Sequence, residues 1–227
     1  LEGVKSVAAG WYYSLILKTN GTLWTIGENS AGQLGDGTTT GRWTFARILD
    51  NVASVAAGTS HSLALKSDGT VWAWGYNRDG QIGDGTTASK LSPVQVLSNV
   101  QSISANAQHS LAIANDGSLY AWGTNSNGTL GNNSKVNQSS PVRVMDGVVA
   151  ASAGGSYSLA LKSDGSVHSW GFNGSEVLGP VAEDARTSPR PDEYLKEIRR
   201  ISAGTAHALA LTGDGRLLAW GNNFYQQ

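Results

Sequence analysis

His61, His109 and His207 each begin a near-copy of one phrase: "HSLALKSDGTVWAWGYN", "HSLAIANDGSLYAWGTN" and "HALALTGDGRLLAWGNN". Imidazoles recurring at one site could be carried round an axis and ligate a metal. The same site is a phenol in two further copies, "YSLILKTNGTLWTIGEN" at Tyr13 and "YSLALKSDGSVHSWGFN" at Tyr157. That exchange suits a hydrogen-bonding structural role better than ligation, so the three histidines are read as structural. Asp36 and Asp84 open "DGTT"-like segments. These lack the spaced oxygens and terminal Glu of a calcium loop and read as turns. Asn29, Asn77, Asn125, Asn173 and Asn223 each follow a Gly by two residues, where an amide can bond nearby backbone and fix a loop. "GENSAGQLG" is glycine-rich but precedes no helix, so it is a poor phosphate cradle. No nucleophile stands beside a base and no carboxylate pair is singled out. The residues therefore point away from an enzyme, and no catalytic residue, cofactor or metal is expected.

Residues that break the repetition are the better functional signal. Trp11 and Tyr12 fill two positions held by Thr59-Ser60, Ala107-Gln108, Gly155-Ser156 and Thr205-Ala206 in the other copies. Arg42 and Trp43 are placed in an outer loop of the first copy. Tyr76 with Arg78, Phe172, and Phe224 with Tyr225 follow the "WG" of later copies. Variable loops on a rigid scaffold commonly carry binding residues, and Trp, Tyr and Arg dominate protein interfaces. These nine side chains are the expected contact surface for another protein. The alternative is that some of them only cover the end of a repeat or pack against further repeats.

Two rulers define the elements that must position them. Gly27, Gly75, Gly123, Gly171 and Gly221 close the "WG" or "IG" pairs, at intervals of 48, 48, 48 and 50 residues. Gly10, Gly58, Asn106, Gly154 and Gly204 end the "VAAG"-like segments at the same intervals. Within each period, "VASVAAG", "HSLALKS", "TVWAWG" and "SPVQV" read as strands. Asn20-Gly21, Asp68-Gly69, Asp116-Gly117, Asp164-Gly165 and Asp214-Gly215 read as two-residue hairpin turns that use positive φ. Pro93 and Pro141 cannot donate to a ladder, which places their strand at an edge or a strand start. Four short strands per period of about 40–50 residues specify a β-propeller blade. Trp74, Trp122, Trp170 and Trp220 share one site, filled by Ile26 in the first copy, and are read as flat spacers between blades. The expectation is an all-β propeller of four-stranded antiparallel blades over residues 1–227. Its repeats lie near 1–50, 51–98, 99–146, 147–196 and 197–227, the last incomplete. Five copies of three strands but only four of the outer strand leave several readings. The chain is part of a larger ring, or a five-bladed ring, or an open array whose exposed edge invites self-association.

"VAAGTSHSLALKSDGTVWAWG" followed by "GQIGDGTT" and "SPVQV" resembles the repeat of the regulator-of-chromosome-condensation family, in wording closest to its bacterial members. The resemblance runs over nearly the whole chain. It implies a seven-bladed ring with sequence repeats offset from blades. It also raises guanine-nucleotide exchange on a small GTPase as an alternative function, beside a structural region of a secreted or cell-surface protein. Two departures stand out. Asn106 replaces a glycine, so backbone strain or an αL conformation is expected there. Repeat four exchanges "GQLGDG" for "SEVLGPV" and then carries "EDARTSPRPDEYLKEIRR", expected to form a protruding loop or short helical turn.

Sixteen Lys+Arg against seventeen Asp+Glu give a net charge of -1, so no global basic field favours nucleic acid or an anionic membrane. The absence of cysteine excludes disulfides and thiolate metal sites. No apolar run reaches the roughly 18 residues of a membrane span, so no membrane insertion is expected. "LEGVKSVAAG" lacks the basic start and long apolar stretch of a signal peptide; either the protein is not exported or a leader has been removed.

Overall fold

Alternation in "HSLALK" governs how every sheet packs, because successive side chains of a strand point to opposite faces. The computed structural model describes residues 1–174, 176–179 and 183–222. Over these residues the regular elements are β-strands. The first sheet holds β1 (Val4–Ala9), β2 (Tyr13–Lys18), β3 (Leu23–Gly27) and β4 (Arg42–Leu49). The second holds β5 (Val52–Ala57), β6 (His61–Lys66), β7 (Val71–Gly75) and β8 (Lys90–Leu97). The third holds β9 (Val100–Asn106), β10 (His109–Ala114), β11 (Leu119–Gly123) and β12 (Gln138–Met145). The fourth holds β13 (Val148–Ala153), β14 (Tyr157–Lys162), β15 (Val167–Phe172) and β16 (Ala185–Pro191). The fifth has three described strands, β17 (Ile198–Ala203), β18 (His207–Thr212) and β19 (Leu217–Gly221). All pair antiparallel in chain order.

Each sheet serves two cores at once. Leu63 and Leu65 of β6 pack forward against Ala112 and Trp122 of the third sheet. Ala64 and Trp74 of the second sheet pack backward against Leu15 and Leu17 of the first. The pattern repeats between the third and fourth sheets, where Leu111 and Ile113 meet Ala160 and Trp170. First strands of successive sheets lie side by side, whereas the outer strands diverge. Sheets fanned in this way and sharing their apolar faces are the blades of a β-propeller.

Three local expectations need correction. The hairpin turns are not two-residue turns with both residues at positive φ. Only Gly69 takes φ +80°, its N–H closes onto Lys66 O at 3.0 Å, and Lys66 N reaches Thr70 O at 2.9 Å. The loop is thus three residues long with glycine in the left-handed place. Asp68 Oδ1 instead accepts from Thr70 N at 3.0 Å. The charged segment of repeat four is neither a wholly protruding loop nor a helix. It supplies β16, which pairs with β15 through Gly171↔Arg186 and Ser169↔Arg190. At Asn106 it is the next residue, Ala107, that takes φ +36°, and Asn106 Oδ1 accepts from Ala107 N at 2.7 Å. The glycines equivalent to Asn106 leave room for the ring three residues on. A Cβ on Gly58 would lie 2.1 Å from His61 Cε1, and one on Gly154 would lie 2.2 Å from Tyr157 Cε1.

Candidate functional site

The His/Tyr position lies at the seam between blades. His61 Nε2 is 3.0 Å from Ser110 Oγ of the following blade, and His109 Nε2 is 3.0 Å from Ser158 Oγ. Ser110 gives its own proton to Gln81 O at 3.0 Å, so His61 Nε2–H is the donor and Nδ1 carries the lone pair. Tyr13 OH donates to His61 O and lies 3.2 Å from Ser62 Oγ, which gives its own proton to Gln33 O at 2.8 Å. Tyr157 OH donates to His207 O, where Ala208 replaces the serine. Burial lowers the His61 imidazole to about 4. Burial, with the charge of His61 adding to it, lowers His109 to about 3. Both are neutral near pH 7. Each seam is completed by an indole: Trp74, Trp122, Trp170 and Trp220 Nε1 donate to Gln33, Gln81, Thr129 and Val177 O of the preceding blade at 2.8–3.0 Å. Among the described residues no cluster of three His, Asp or Glu could hold a metal ion.

The asparagines knit the loops that feed these seams. Asn77 Oδ1 accepts from Ile82 N at 2.9 Å, while its Nδ2 reaches Thr86 O and Ala88 O at 3.0 Å and Asp84 Oδ1 at 3.2 Å. Asn29 binds its own loop the same way. Asp36 pairs with Arg42, and Asp84 with Lys90 at 2.8 Å. Burial pushes the Asp36 carboxyl up, but hydrogen bonds from Arg42 and Thr38 outweigh it and hold it at about 2.

Among the described residues, the antiparallel path puts the loops after the first and third strands of a blade on one face. The hairpin turns and blade-to-blade links occupy the other. Trp11, Tyr12, Tyr76 and Arg78 sit in loops of the first face. They lie within blades, not in blade-connecting links. Trp11 and Tyr12 are 68% and 70% exposed and stack with ring centroids 5.5 Å apart. Trp11 N donates to Thr59 O at 3.2 Å and Tyr76 N to Ser60 O at 2.8 Å, which ties these loops to the scaffold. Arg78 is exposed and Tyr76 half-buried.

Arg42 and Trp43 are not in an outer loop. They begin β4, because a cation opposite Gly27 can reach Asp36 and extend the ladder. Trp43, 95% exposed, holds the position of Leu91 in blade two, whose Cδ2 would lie 2.6 Å from a Cβ on Gly32 of blade one. It therefore faces the outer flank of blade one, where a groove of about 530 Å³ runs between Tyr12, Glu28 and Trp43. Glu28, held by Ser30 N at 2.9 Å, escapes sequence reasoning because nothing in its own repeat marks it. Phe172 ends β15 and lies apart, beside Tyr157, Val177 and Thr205. Phe224 and Tyr225 lie outside the described residues. Structure thus brings Trp11, Tyr12, Arg42 and Trp43 onto one blade and leaves Tyr76, Arg78 and Phe172 on others.

Comparison with solved structures places this arrangement among known propellers. Human WBSCR16 superposes with a TM-score of 0.86 at 28% identity, covering 97% of this chain and 62% of its own. Prp20p from Saccharomyces cerevisiae superposes with a TM-score of 0.82 at 27% identity, covering 95% of this chain and 56% of its own; that protein was studied for its binding to Gsp1p and histones. The CRINKLY WD40 ectodomain of the Arabidopsis thaliana receptor kinase ACR4, at 19% identity and a TM-score of 0.57, shares the fold alone. The chain spans less than two thirds of the length of the first two. No curated protein sequence matches it. The family model described as RCC1-like domain matches residues 1–227, and with its blades and seams in place the chain belongs to the RCC1-like domain family.

Proposed function

We propose that this chain is a non-enzymatic scaffold that binds another protein through its loop face. The stacked and exposed Trp11–Tyr12 pair carries the reading. Two large aromatics are held side by side on a loop bonded to the neighbouring blade, so little side-chain freedom is lost on docking. Tyr76, Arg78 and Phe172 extend the proposed contact surface round the same face, and Trp43 extends it over the rim. Arg42 acts mainly by holding Asp36. The interactions named for Prp20p, with Gsp1p, histones and Kap60, support protein binding as the class of activity.

Affinity capture with the wild-type chain, followed by titration of the captured partner, tests this. Joint replacement of Trp11 and Tyr12 by Ala is expected to weaken binding by about tenfold or more with unchanged melting. Equal affinity in both proteins would remove the pair from the interface. Guanine-nucleotide exchange, the alternative raised by the family resemblance, is separated by nucleotide release from a panel of small GTPases. Accelerated release would replace the scaffold reading.

A further inference from the structure

One buried cation has lost the counter-ion that its repeat position carries elsewhere. Arg42, Lys90, Gln138 and Arg186 share one register, each opposite the glycine that follows the third-strand indole or Ile26. Arg42 is paired with Asp36, and Lys90 with Asp84. In blade three both partners are neutral, Gln138 and Asn132. The residue that follows Asn29, Asn77 and Asn125 by seven is Asp36, Asp84 or Asn132; after Asn173 it is Pro180. Blade four therefore keeps the cation without the acid.

The Arg186 side chain is only 7% exposed. Its Nη1 donates to Ser169 Oγ at 3.2 Å. Its Nε lies 3.5 Å from Glu183 Oε2 without hydrogen-bond alignment and has no acceptor. Glu183 is shared, since Arg190 Nη1 donates to its Oε1 at 2.7 Å. Two guanidiniums thus divide one half-exposed carboxylate. Both line a cavity of about 360 Å³ with Leu178, Asp192, Glu193 and Tyr194. Glu193 is exposed. Burial pushes the Asp192 carboxyl up, against the pull of Tyr194 N–H and Arg186. A buried guanidinium with an idle donor is costly, and its planar fork matches two oxygens of one group.

We propose that this cavity binds a small oxyanion, a carboxylate or phosphoryl group, whose oxygens accept from Arg186 and Arg190. The proposal uses none of the loop-face aromatics and stands apart from the scaffold reading. Inorganic phosphate and acetate are titrated separately into the chain at constant ionic strength, following arginine Nε–H resonances and heat. Either ligand is expected to shift the Arg186 Nε–H signal. Arg190→Gln, at a half-exposed position that leaves the fold intact, is expected to weaken binding by about tenfold. Glu183→Gln, which removes the competing carboxylate, is expected to tighten it. Binding of phosphate alone identifies a phosphoryl ligand, of acetate alone a carboxylate, and of both a general oxyanion site. No shift with either anion, or equal affinity in wild type, Arg190→Gln and Glu183→Gln, would overturn the proposal.

Discussion

His61 is 1% exposed, and its proton on Nε2 is committed to the next blade through Ser110. An imidazole in that position resists a second proton, because the cation would sit in the seam with no acid beside it. The folded value of about 4 lies below the ordinary 6.5, and His109 at about 3 lies lower still. The unfolded chain therefore binds protons more readily, and stability rises with pH across this window. The expected curve is level above about pH 6.5 and falls toward pH 3–4, by about 1.4 kcal/mol per pH unit for each histidine. Loss of the Asp36 pair adds to the fall below about pH 4. Denaturant midpoints measured across this range check the slope. Replacing both histidines by Tyr, the residue that Tyr13 and Tyr157 supply at the other seams, is expected to flatten the part between pH 6.5 and 4.

At the scale of elements, the loop glycines do two different jobs that look alike in sequence. Gly83 takes φ +86°, and a Cβ there would lie 2.7 Å from Trp122 Nε1 of the next blade. Gly85 takes φ +82°, but its nearest neighbour would be Ser140 Oγ at 3.6 Å. Ala at either site incurs left-handed strain of about 1–2 kcal/mol. Only Gly83→Ala also overlaps the indole, which adds about 1–3 kcal/mol. Chemical denaturation of the two variants is therefore expected to separate them, and equal losses would show that the seam yields. The same comparison explains how much was legible. Trp122 marks a repeat site and Gly83 lies in the "GQIGDGTT" phrase, yet the contact between them joins different copies. The turn at Asp68-Gly69 is one residue longer than the two-residue reading: Gly69 takes the positive φ that the sequence marks, but Ser67 joins the loop, and the Asp68 carboxylate accepting from Thr70 N is a contact that the dipeptide does not announce.

Across the whole molecule, the blades shield one another except at the two outer flanks. Val7 is 68%, Phe45 42% and Trp43 95% exposed on the flank of blade one, and Leu217 is 66% exposed on that of blade five. Equivalent side chains between blades are more covered: Leu91, at the position of Trp43, is 38% exposed, Val55 packs in the first seam, and Val71, at the position of Leu217, is fully buried. Apolar flanks of this kind favour association. Sedimentation equilibrium of the chain is expected to show concentration-dependent self-association, reduced by Trp43→Asp. A monomer at all concentrations, or association indifferent to that change, would show that the flanks do not meet.

The sequence alone determined the blade. Its periods, the alternation of Leu with Ala, the edge prolines and the tryptophan site all follow from rules that act within one repeat, where residues a few positions apart share a face or a turn. Tertiary structure alone decided which residues from different repeats meet. The His–Ser seam, the indole over the preceding loop and the exposure of Trp43 depend on which sheets are stacked against one another. Such contacts span about 40–50 residues of chain, and their energy exists only once both blades are in place.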